Sequence, residues 1–272
     1  MNLPRIMVAP NGATKTKADH PALPITLDEI TETARACRAA GAGALHLHLR
    51  DDAGGHLLDS GAYREALAHL RPRLGDMAVQ VTTEASGRYA PGHQRYVALQ
   101  SGADMVSVST REMLRDEARL ATRFYEEAEE RGIAVQHILY TREDAEALAQ
   151  VLPARLFRSP TLQLIFVMGR YIEGQVSTPA MLSPFRDWMR DEAITPDWAI
   201  CAFGQGETAC LRAALEAGGK VRVGFENSLV MEDGRPARDN AERVAAIAAL
   251  QSSAGCPVSG QSARSERLAS GS

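Results

Sequence analysis

The chain has 272 residues, a formal net charge of −4 and 45% hydrophobic residues. This length and composition suit one large globular domain, because α/β barrels commonly form a single unit of this size. Without a basic excess, the chain is expected to bind neither nucleic acid nor an acidic membrane surface. Four scattered cysteines without a CxxC pair, no secretory signal pattern and no apolar run of about 20 residues predict a cytoplasmic protein.

Strand and helix patterns alternate along the chain. Strands are predicted at residues 5–9, 45–51, 77–83, 103–109, 133–140, 161–168, 198–203 and 221–226. Helices are predicted at residues 27–40, 60–72, 92–101, 112–131, 142–151, 180–190, 208–217 and 237–250. Eight strand–helix pairs predict an α/β protein, a single-domain (β/α)8 TIM barrel over residues 1–254, with a Ser-, Gly- and Arg-rich tail at 255–272. An open doubly wound sheet is the alternative, weakened because no Gly-x-Gly-x-x-Gly opens the first helix.

The predicted second strand carries two histidines on one face. Residues 45–51 alternate between apolar and polar, so His46 and His48 point the same way as Arg50 while three leucines point the other way. In an ordinary strand this polar face would simply meet solvent. A second alternating run, residues 220–227, reaches the carboxylate of Glu226 near the other end of the chain.

These two runs can form a three-ligand metal site. Functional groups in such barrels lie at the carboxyl ends of the strands, and only the first strand separates the second from the eighth around the ring. His46, His48 and Glu226 are therefore expected to converge on one divalent ion with a coordination position left open. Zn²⁺ fits two nitrogens and one oxygen best, while Mn²⁺, Fe²⁺ and Co²⁺ remain alternatives.

The chain resembles the β-keto acid cleavage enzyme family. The resemblance covers nearly the whole chain and is carried by residues 9–13, 23–26, 40–42, 46–51 and 219–227. The combination of His46-Leu47-His48-Leu49-Arg50-Asp51 with the run ending in Glu226-Asn227 is its specific part. The resemblance implies a zinc TIM barrel, expected to be a dimer or tetramer. It also implies condensation of a β-keto acid with acetyl-CoA, releasing acetoacetate and a new CoA thioester, with zinc on His46, His48 and Glu226.

Three positions depart from the family pattern. Asn227 stands where many members have an aspartate that works with the strand-eight arginine, here Arg222, in proton abstraction. Gln136 replaces a glutamate on the fifth strand, and Thr14 replaces the acid that binds the ammonium group of an amino substrate. A cationic substrate is therefore not expected, and a neutral or acidic β-keto acid is.

The general base remains open. Arg222 is expected to stabilise the substrate anion, since a guanidinium is a very poor base. Glu84, at the end of the third strand, is the candidate base, and a metal-bound water relayed through Thr82 or Thr83 is the alternative. Each of these three residues has a plainer interpretation as a cap of the following helix.

Further residues are candidates for binding. Asn11, Thr14, Ser107, Ser109 and Asn227 are expected to contact substrate, although loop hydrogen bonding explains the serines equally well. Gly204 and Gly206, at a helix start, and Arg170 are candidates for holding the CoA phosphates; a tight connection and a solvated arginine are the plainer interpretations. His137 is expected in the core or mouth rather than as a fourth ligand. The other histidines, at 20, 56, 69 and 93, are expected to be solvated.

Two other functions stay open. A metal hydrolase of the amidohydrolase type also pairs His-X-His with a strand-eight carboxylate. That class places His-X-His on strand one and needs histidines on strands five and six, where this chain offers His137 alone. A metal-binding or sensor barrel that has lost activity is the non-enzymatic alternative, suggested by Asn227 and Gln136.

Overall fold

The computed structural model describes residues 2–170, 174 and 176–254. Within them, eight parallel strands close into a barrel in sequence order. We number these strands β1 Ile6–Val8, β2 Ala44–Leu47, β3 Ala78–Thr82, β4 Met105–Ser109, β5 Ala134–Leu139, β6 Gln163–Met168, β7 Asp197–Ala202 and β8 Lys220–Val223. Strand β1 pairs with both β2 and β8, which closes the ring. The predicted TIM barrel is confirmed, and the tail predicted at 255–272 lies outside the described residues.

Helices surround the barrel. They are α1 Leu27–Ala39, α2 Ser60–Leu74, α3 Pro91–Gln100, α4 Thr110–Met113, α5 Ala118–Glu130, α6 Arg142–Val151, α7 Ala154–Phe157, α8 Ser183–Asp191, α9 Glu207–Glu216 and α10 Asn240–Ala254. The prediction of one long helix at 112–131 is wrong: α4 and α5 are separate, and Nη1 and Nη2 of Arg95 donate to the carboxylate of Asp116, which lies between them. Helix α2 also continues two residues past Pro72, its predicted end.

Apolar side chains fill both the outside and the floor of the barrel. The larger cluster lies between strands and helices, and its members include Ile30, Leu45, Tyr63 and Leu211. A second cluster lies inside the barrel; Met7, Met105 and Ile165 belong to its strands, and Phe203 follows the carboxyl end of β7. Barrel enzymes place their functional sites at these carboxyl ends. No helix within the described ranges is long and apolar enough to cross a membrane.

Two predicted strands end earlier than their sequence pattern suggested. Strand β2 stops at Leu47, and after His48 the chain enters a short antiparallel hairpin in which Leu49–Arg50 pairs with His56–Leu57. Strand β8 stops at Val223. Both metal-ligand candidates beyond these ends therefore lie outside the barrel sheet: His48 is the one residue between β2 and the hairpin, and Glu226 lies in the turn after β8.

Candidate metal centre and active site

His46, His48 and Glu226 form one buried cluster at the mouth of the barrel. The two Nε2 atoms lie 3.1 Å apart, and Glu226 Oε2 lies 3.6 Å from His46 Nε2 and 3.5 Å from His48 Nε2. Tetrahedral zinc with bonds of about 2.0–2.2 Å separates its ligand atoms by about 3.3–3.6 Å. The three atoms thus form a triangle of the size that one ion requires.

Two glycines allow Glu226 to reach this position. Gly224 follows β8 with a φ of +142°, and a Cβ there would lie 2.4 Å from the Ala9 carbonyl oxygen. The chain can therefore turn close against β1, where Glu226 N donates to Ala9 O at 3.0 Å. Gly12 has a φ of +62°, and a Cβ on it would lie 2.7 Å from Glu226 Cγ. Side chains at either position would push the carboxylate away from the histidines.

The electrostatic state of the cluster suits a cation. Burial lowers the pKa of His46 to about 4 and holds that of His48 well below 6.5, so both imidazoles are neutral at neutral pH. Burial alone would raise the pKa of Glu226, but the charge of Arg222, with smaller contributions from the histidines, lowers it well below 4.5. Glu226 Oε2 is buried and has no hydrogen-bond partner among the described residues. A buried anionic oxygen facing two nitrogen lone pairs is a donor set that fits a divalent ion.

A chain of amides fixes the orientation of His46. Gln80 Nε2 donates to Gln136 Oε1 at 2.9 Å, which leaves Gln80 Oε1 to accept from His46 Nδ1 at 2.7 Å. The Nε2 lone pair of His46 is thereby directed at the cluster, as the outer contacts of metal-bound histidines generally do. Asn11 holds the main chain at the second ligand residue, because its Nδ2 donates to His48 O at 3.3 Å.

Arg222 projects from β8 into the cluster. Its Nη1 lies 3.2 Å from His46 Nε2, and its Nη2 lies 3.2 Å from Glu226 Oε1. The same Nη2 is 3.3 Å from Cys201 Sγ. The guanidinium is fully buried with the ligands and is placed to stabilise an anion bound beside them.

Glu84 brings a second carboxylate to the same place. Its Oε1 is bound by Arg170 Nη2 at 2.5 Å, while its Oε2 lies 3.9 Å from His48 Nε2. Burial raises the pKa of Glu84 above 4.5, although Arg170 opposes that effect. Thr82 anchors this turn, since its Oγ1 accepts from Glu84 N at 3.1 Å. One carboxylate oxygen is thus held in an ion pair and the other faces the metal-ligand cluster.

Two cavities meet at this site. A cavity of about 20 Å³, enough for about one water-sized group, is lined by Thr82, Glu84, Ser109 and Arg222 together with two of the ligand residues. A second cavity, of about 500 Å³, has apolar walls that include Met181 and Phe185. Both are lined by Tyr140, Val167 and Arg170, so these three residues separate the metal-ligand cluster from the larger space.

Four other predicted site residues do not line the small cavity. Thr83 Oγ1 donates to Ser107 O at 2.8 Å, and Ser107 Oγ is buried without a partner among the described residues. Thr14 is exposed. Asn227 is buried next to Glu226, and neither atom of its amide is hydrogen-bonded within the described ranges. None of these four lines the small cavity, so their binding or catalytic roles stay predictions.

The predicted CoA loop is closely packed. A Cβ on Gly206 would lie 2.0 Å from Ser177 O, so this glycine is required where the loop meets the chain segment before α8. Gly204 N donates to Asn227 O at 3.2 Å. These contacts account for both glycines as parts of a tight connection between β7 and α9. Their role in holding CoA phosphates remains a prediction, and Arg170 is the predicted CoA residue that borders both cavities.

The histidine predictions are partly corrected. His137 points to the helix side of the barrel, where its ring lies 5.0 Å from that of Tyr125, so it is a core residue as expected. The expectation that His20 and His56 are solvated is wrong, since both are buried. The β-hairpin after His48 places the His56 ring 5.3 Å from the His48 ring, and its Nε2 donates to Glu84 O at 2.8 Å. This contact was not predicted from the sequence, because residues 49–50 were assigned to the second strand and His56 was placed outside any strand.

Comparison with known proteins identifies the family of this chain. A family model described as beta-keto acid cleavage enzyme matches residues 5–268. The 3-oxoadipate:acetyl-CoA acetyltransferase of Cupriavidus necator is 28% identical over 267 residues, covering 93% of this chain and 90% of that protein. The 3-keto-5-aminohexanoate cleavage enzyme of Fusobacterium nucleatum is 26% identical over 252 residues, covering 88% of both.

Solved structures resemble the barrel at lower identity. The complex of ObcA with oxaloacetate matches with a TM-score of 0.70 and 19% identity; the match covers 84% of this chain, which spans 63% of the ObcA chain. A type I 3-dehydroquinate dehydratase from Clostridium difficile matches with a TM-score of 0.57 and 11% identity over 93% of this chain and 94% of that one. Such identities concern the fold alone. Because the family model covers nearly the whole chain, this chain belongs to the beta-keto acid cleavage enzyme family.

Proposed function

We propose that this protein condenses a β-keto acid with acetyl-CoA and releases acetoacetate and a new acyl-CoA. The observation that carries the proposal is the convergence of His46 Nε2, His48 Nε2 and Glu226 Oε2 beside Glu84 and Arg222, in a barrel of this family. The names of the relatives from Cupriavidus necator and Fusobacterium nucleatum support acetyl-CoA as the second substrate and a β-keto acid as the first.

The metal is proposed to be zinc, held by His46, His48 and Glu226. A zinc ion held there would supply Lewis acidity that favours loss of the proton from the α-carbon. Arg222 lies beside two of the ligands, so it binds the substrate carboxylate and stabilises the charge that develops when the α-carbon loses its proton. The guanidinium stays protonated throughout.

Glu84 is proposed to take that proton. Its Oε1 is fixed by Arg170 and its Oε2 faces the metal-ligand cluster, which is the arrangement a positioned base needs. The α-carbon then forms a bond to the acetyl carbonyl carbon of acetyl-CoA, and CoA leaves as the thiolate. The thiolate attacks the original keto carbon, and the bond between that carbon and the α-carbon breaks. The new acyl-CoA is released, and Glu84 returns the proton to the α-carbon, which completes acetoacetate.

Acetyl-CoA is proposed to approach from the larger cavity. Its apolar walls suit the pantetheine arm, and Arg170 on the wall shared with the small cavity lies where the thioester must pass. We also propose that the protein is a cytoplasmic homo-oligomer, a dimer or tetramer, built from barrels of residues 1–254 with the 255–272 tail outside the barrel.

A coupled screen tests the proposal. Purified zinc-loaded protein is given a panel of β-keto acids with acetyl-CoA, and acetoacetate is measured. The same protein is given amides and lactones without acetyl-CoA. Acetoacetate formation that requires both substrates supports the proposal. Hydrolysis of an amide or lactone without acetyl-CoA would replace it with the amidohydrolase alternative, and inactivity on both panels would favour a barrel that has lost activity.

A further inference from the structure

Lys15 stands out by composition and by position. Only three of the 30 basic residues are lysines, at positions 15, 17 and 220. Lys17 is paired with Glu29 and Lys220 with Asp197. Among the described residues, no carboxylate oxygen lies within ion-pair distance of Lys15 Nζ, which instead donates to the main-chain oxygen of Glu226 at 2.6 Å. An ammonium group has three donors, so this bond uses one of them.

The loop that carries Lys15 is firmly held. Arg50 Nη2 donates to Lys15 O at 2.8 Å, and Arg50 Nε donates to Gly12 O at 2.9 Å. The ammonium lies over the ring of Phe203 at 5.9 Å from its centre, and the guanidinium of Arg170 lies over the same ring at 5.1 Å. A partly buried lysine is thus fixed beside a metal-ligand residue and next to a second cation.

With the proposed divalent ion bound, the site would carry more positive than negative charge. The small cavity is lined by three carboxylates, of Glu84, Glu112 and Glu226, and by the two arginines Arg170 and Arg222. Lys15 makes the numbers of acids and bases equal. The proposed divalent ion then adds two positive charges, and the carboxylate of a β-keto acid neutralises one of them. A second anionic group on the substrate would neutralise the other.

We propose that Lys15 binds a second carboxylate at the far end of the substrate, so that the preferred substrates are β-keto dicarboxylic acids. The inference rests on the proposed function, and it assigns substrate choice to Lys15 rather than to its exposed neighbour Thr14. The first carboxylate is bound by Arg222, beside the metal-ligand cluster. The second carboxylate accepts hydrogen bonds from the Lys15 ammonium at the rim.

Matched substrates test the inference. 3-Oxoadipate and 3-oxohexanoate have the same carbon chain and differ in a terminal carboxylate against a methyl group. In the zinc-loaded wild type, kcat/KM is expected to be higher for 3-oxoadipate. Lys15→Met is expected to reduce the ratio of the two values by about 10- to 100-fold, mainly through KM, because a charge-assisted hydrogen bond is lost. Lys15→Arg should restore much of the ratio.

A control and a binding measurement separate this inference from the proposed function. Lys17→Met removes a lysine from the same loop and should leave the ratio unchanged. Dissociation constants of both keto acids, measured by calorimetry without acetyl-CoA, should show the same Lys15-dependent preference even if no turnover occurs. An equal loss on both substrates, or loss of zinc from Lys15→Met, would overturn the inference and make Lys15 a support for Glu226. A wild type with no preference in binding and turnover would also overturn it.

Discussion

Two buried glutamates lie next to arginines in this barrel, and they differ in what surrounds them. Glu207, at the start of α9, is fully buried against Arg243 of α10, and burial raises its pKa to about 7. Glu226 is equally enclosed and next to Arg222, yet its pKa is lowered, because two imidazoles and Arg170 add to the effect of that arginine.

The two pairs therefore serve different ends. Arg243 binds Glu207 Oε2, and together the two residues join two helices. At Glu226, Arg222 binds Oε1 only, and Oε2 faces two neutral nitrogen atoms. A buried carboxylate kept ionised, with one oxygen directed at lone pairs, is arranged for a cation. Burial beside an arginine does not by itself distinguish a functional carboxylate from a structural one; the other neighbours do.

Removing the metal ligands should have the largest effect. The wild type is expected to bind about one divalent ion per chain, and His46→Ala/His48→Ala should bind none and lose at least about 10³-fold in kcat, since zinc no longer polarises the substrate. Elemental analysis and circular dichroism report metal and fold separately. His69→Ala, on the surface of α2, is the matched control and should keep both metal and activity. Full metal content in the double variant would remove the basis of the site.

Breaking the structural pair should affect stability instead. Arg243→Met leaves the Glu207 carboxylate buried without its partner, and we expect a loss of about 3–5 kcal/mol in the free energy of unfolding. Denaturant titration measures the loss. Because the folded pKa of Glu207 lies above that of the unfolded chain, its contribution to stability is present below about pH 4.5 and is lost as pH rises through about 7. Denaturation at acid pH should therefore show a smaller deficit for Arg243→Met.

The double variant completes that comparison. Arg243→Met/Glu207→Gln removes both charges and should recover part of the lost stability, while its zinc content stays at the wild-type level. Loss of zinc from a folded Arg243→Met protein would contradict the separation of the two regions.

Glu84→Gln should lower kcat by roughly 10²-fold with metal content unchanged, because the variant lacks the proposed base. A base must be deprotonated, and burial raises the pKa of Glu84 above 4.5. Wild-type kcat/KM should therefore fall as pH drops through that raised value, and this acid limb should be absent from Glu84→Gln. Near-normal turnover in Glu84→Gln would transfer the role to a metal-bound water relayed through Thr82 or Thr83, of which Thr82 lines the small cavity.

The sequence predicted the features that depend on periodicity. Alternation placed His46 and His48 on one face, and the count of strand–helix pairs placed Glu226 beside them in a closed ring. Contacts that depend on turns were not predictable in this way. The contact of Gly224 with Ala9 and the Glu84–Arg170 ion pair join residues far apart in the chain, and no spacing rule links them. The hairpin that buries His56 is local, but each of its arms has only two residues, too few for a strand pattern.

Side chains inside the barrel were equally hidden. Gln80 looked like a polar residue in an ordinary alternating strand, and nothing in its own neighbourhood shows that Gln136, two strands away, completes its hydrogen bonding. Lys15 had no signal beyond the scarcity of lysine in this chain. Its placement by Arg50 and Phe203 required the fold.

The smallest expected effect tests the support of His46. Gln80→Leu removes the acceptor for His46 Nδ1, so the ring is no longer fixed with its Nε2 lone pair at the metal. We expect zinc affinity to fall by about 10- to 100-fold, measured by competition with a chelator, while kcat at saturating zinc changes far less. Gln80→Glu keeps an acceptor and should retain affinity. Gln136→Leu removes only the next link and should have a smaller effect than Gln80→Leu. An equal loss in Gln80→Leu and Gln80→Glu would show that packing, rather than the hydrogen bond to Nδ1, determines how His46 is held.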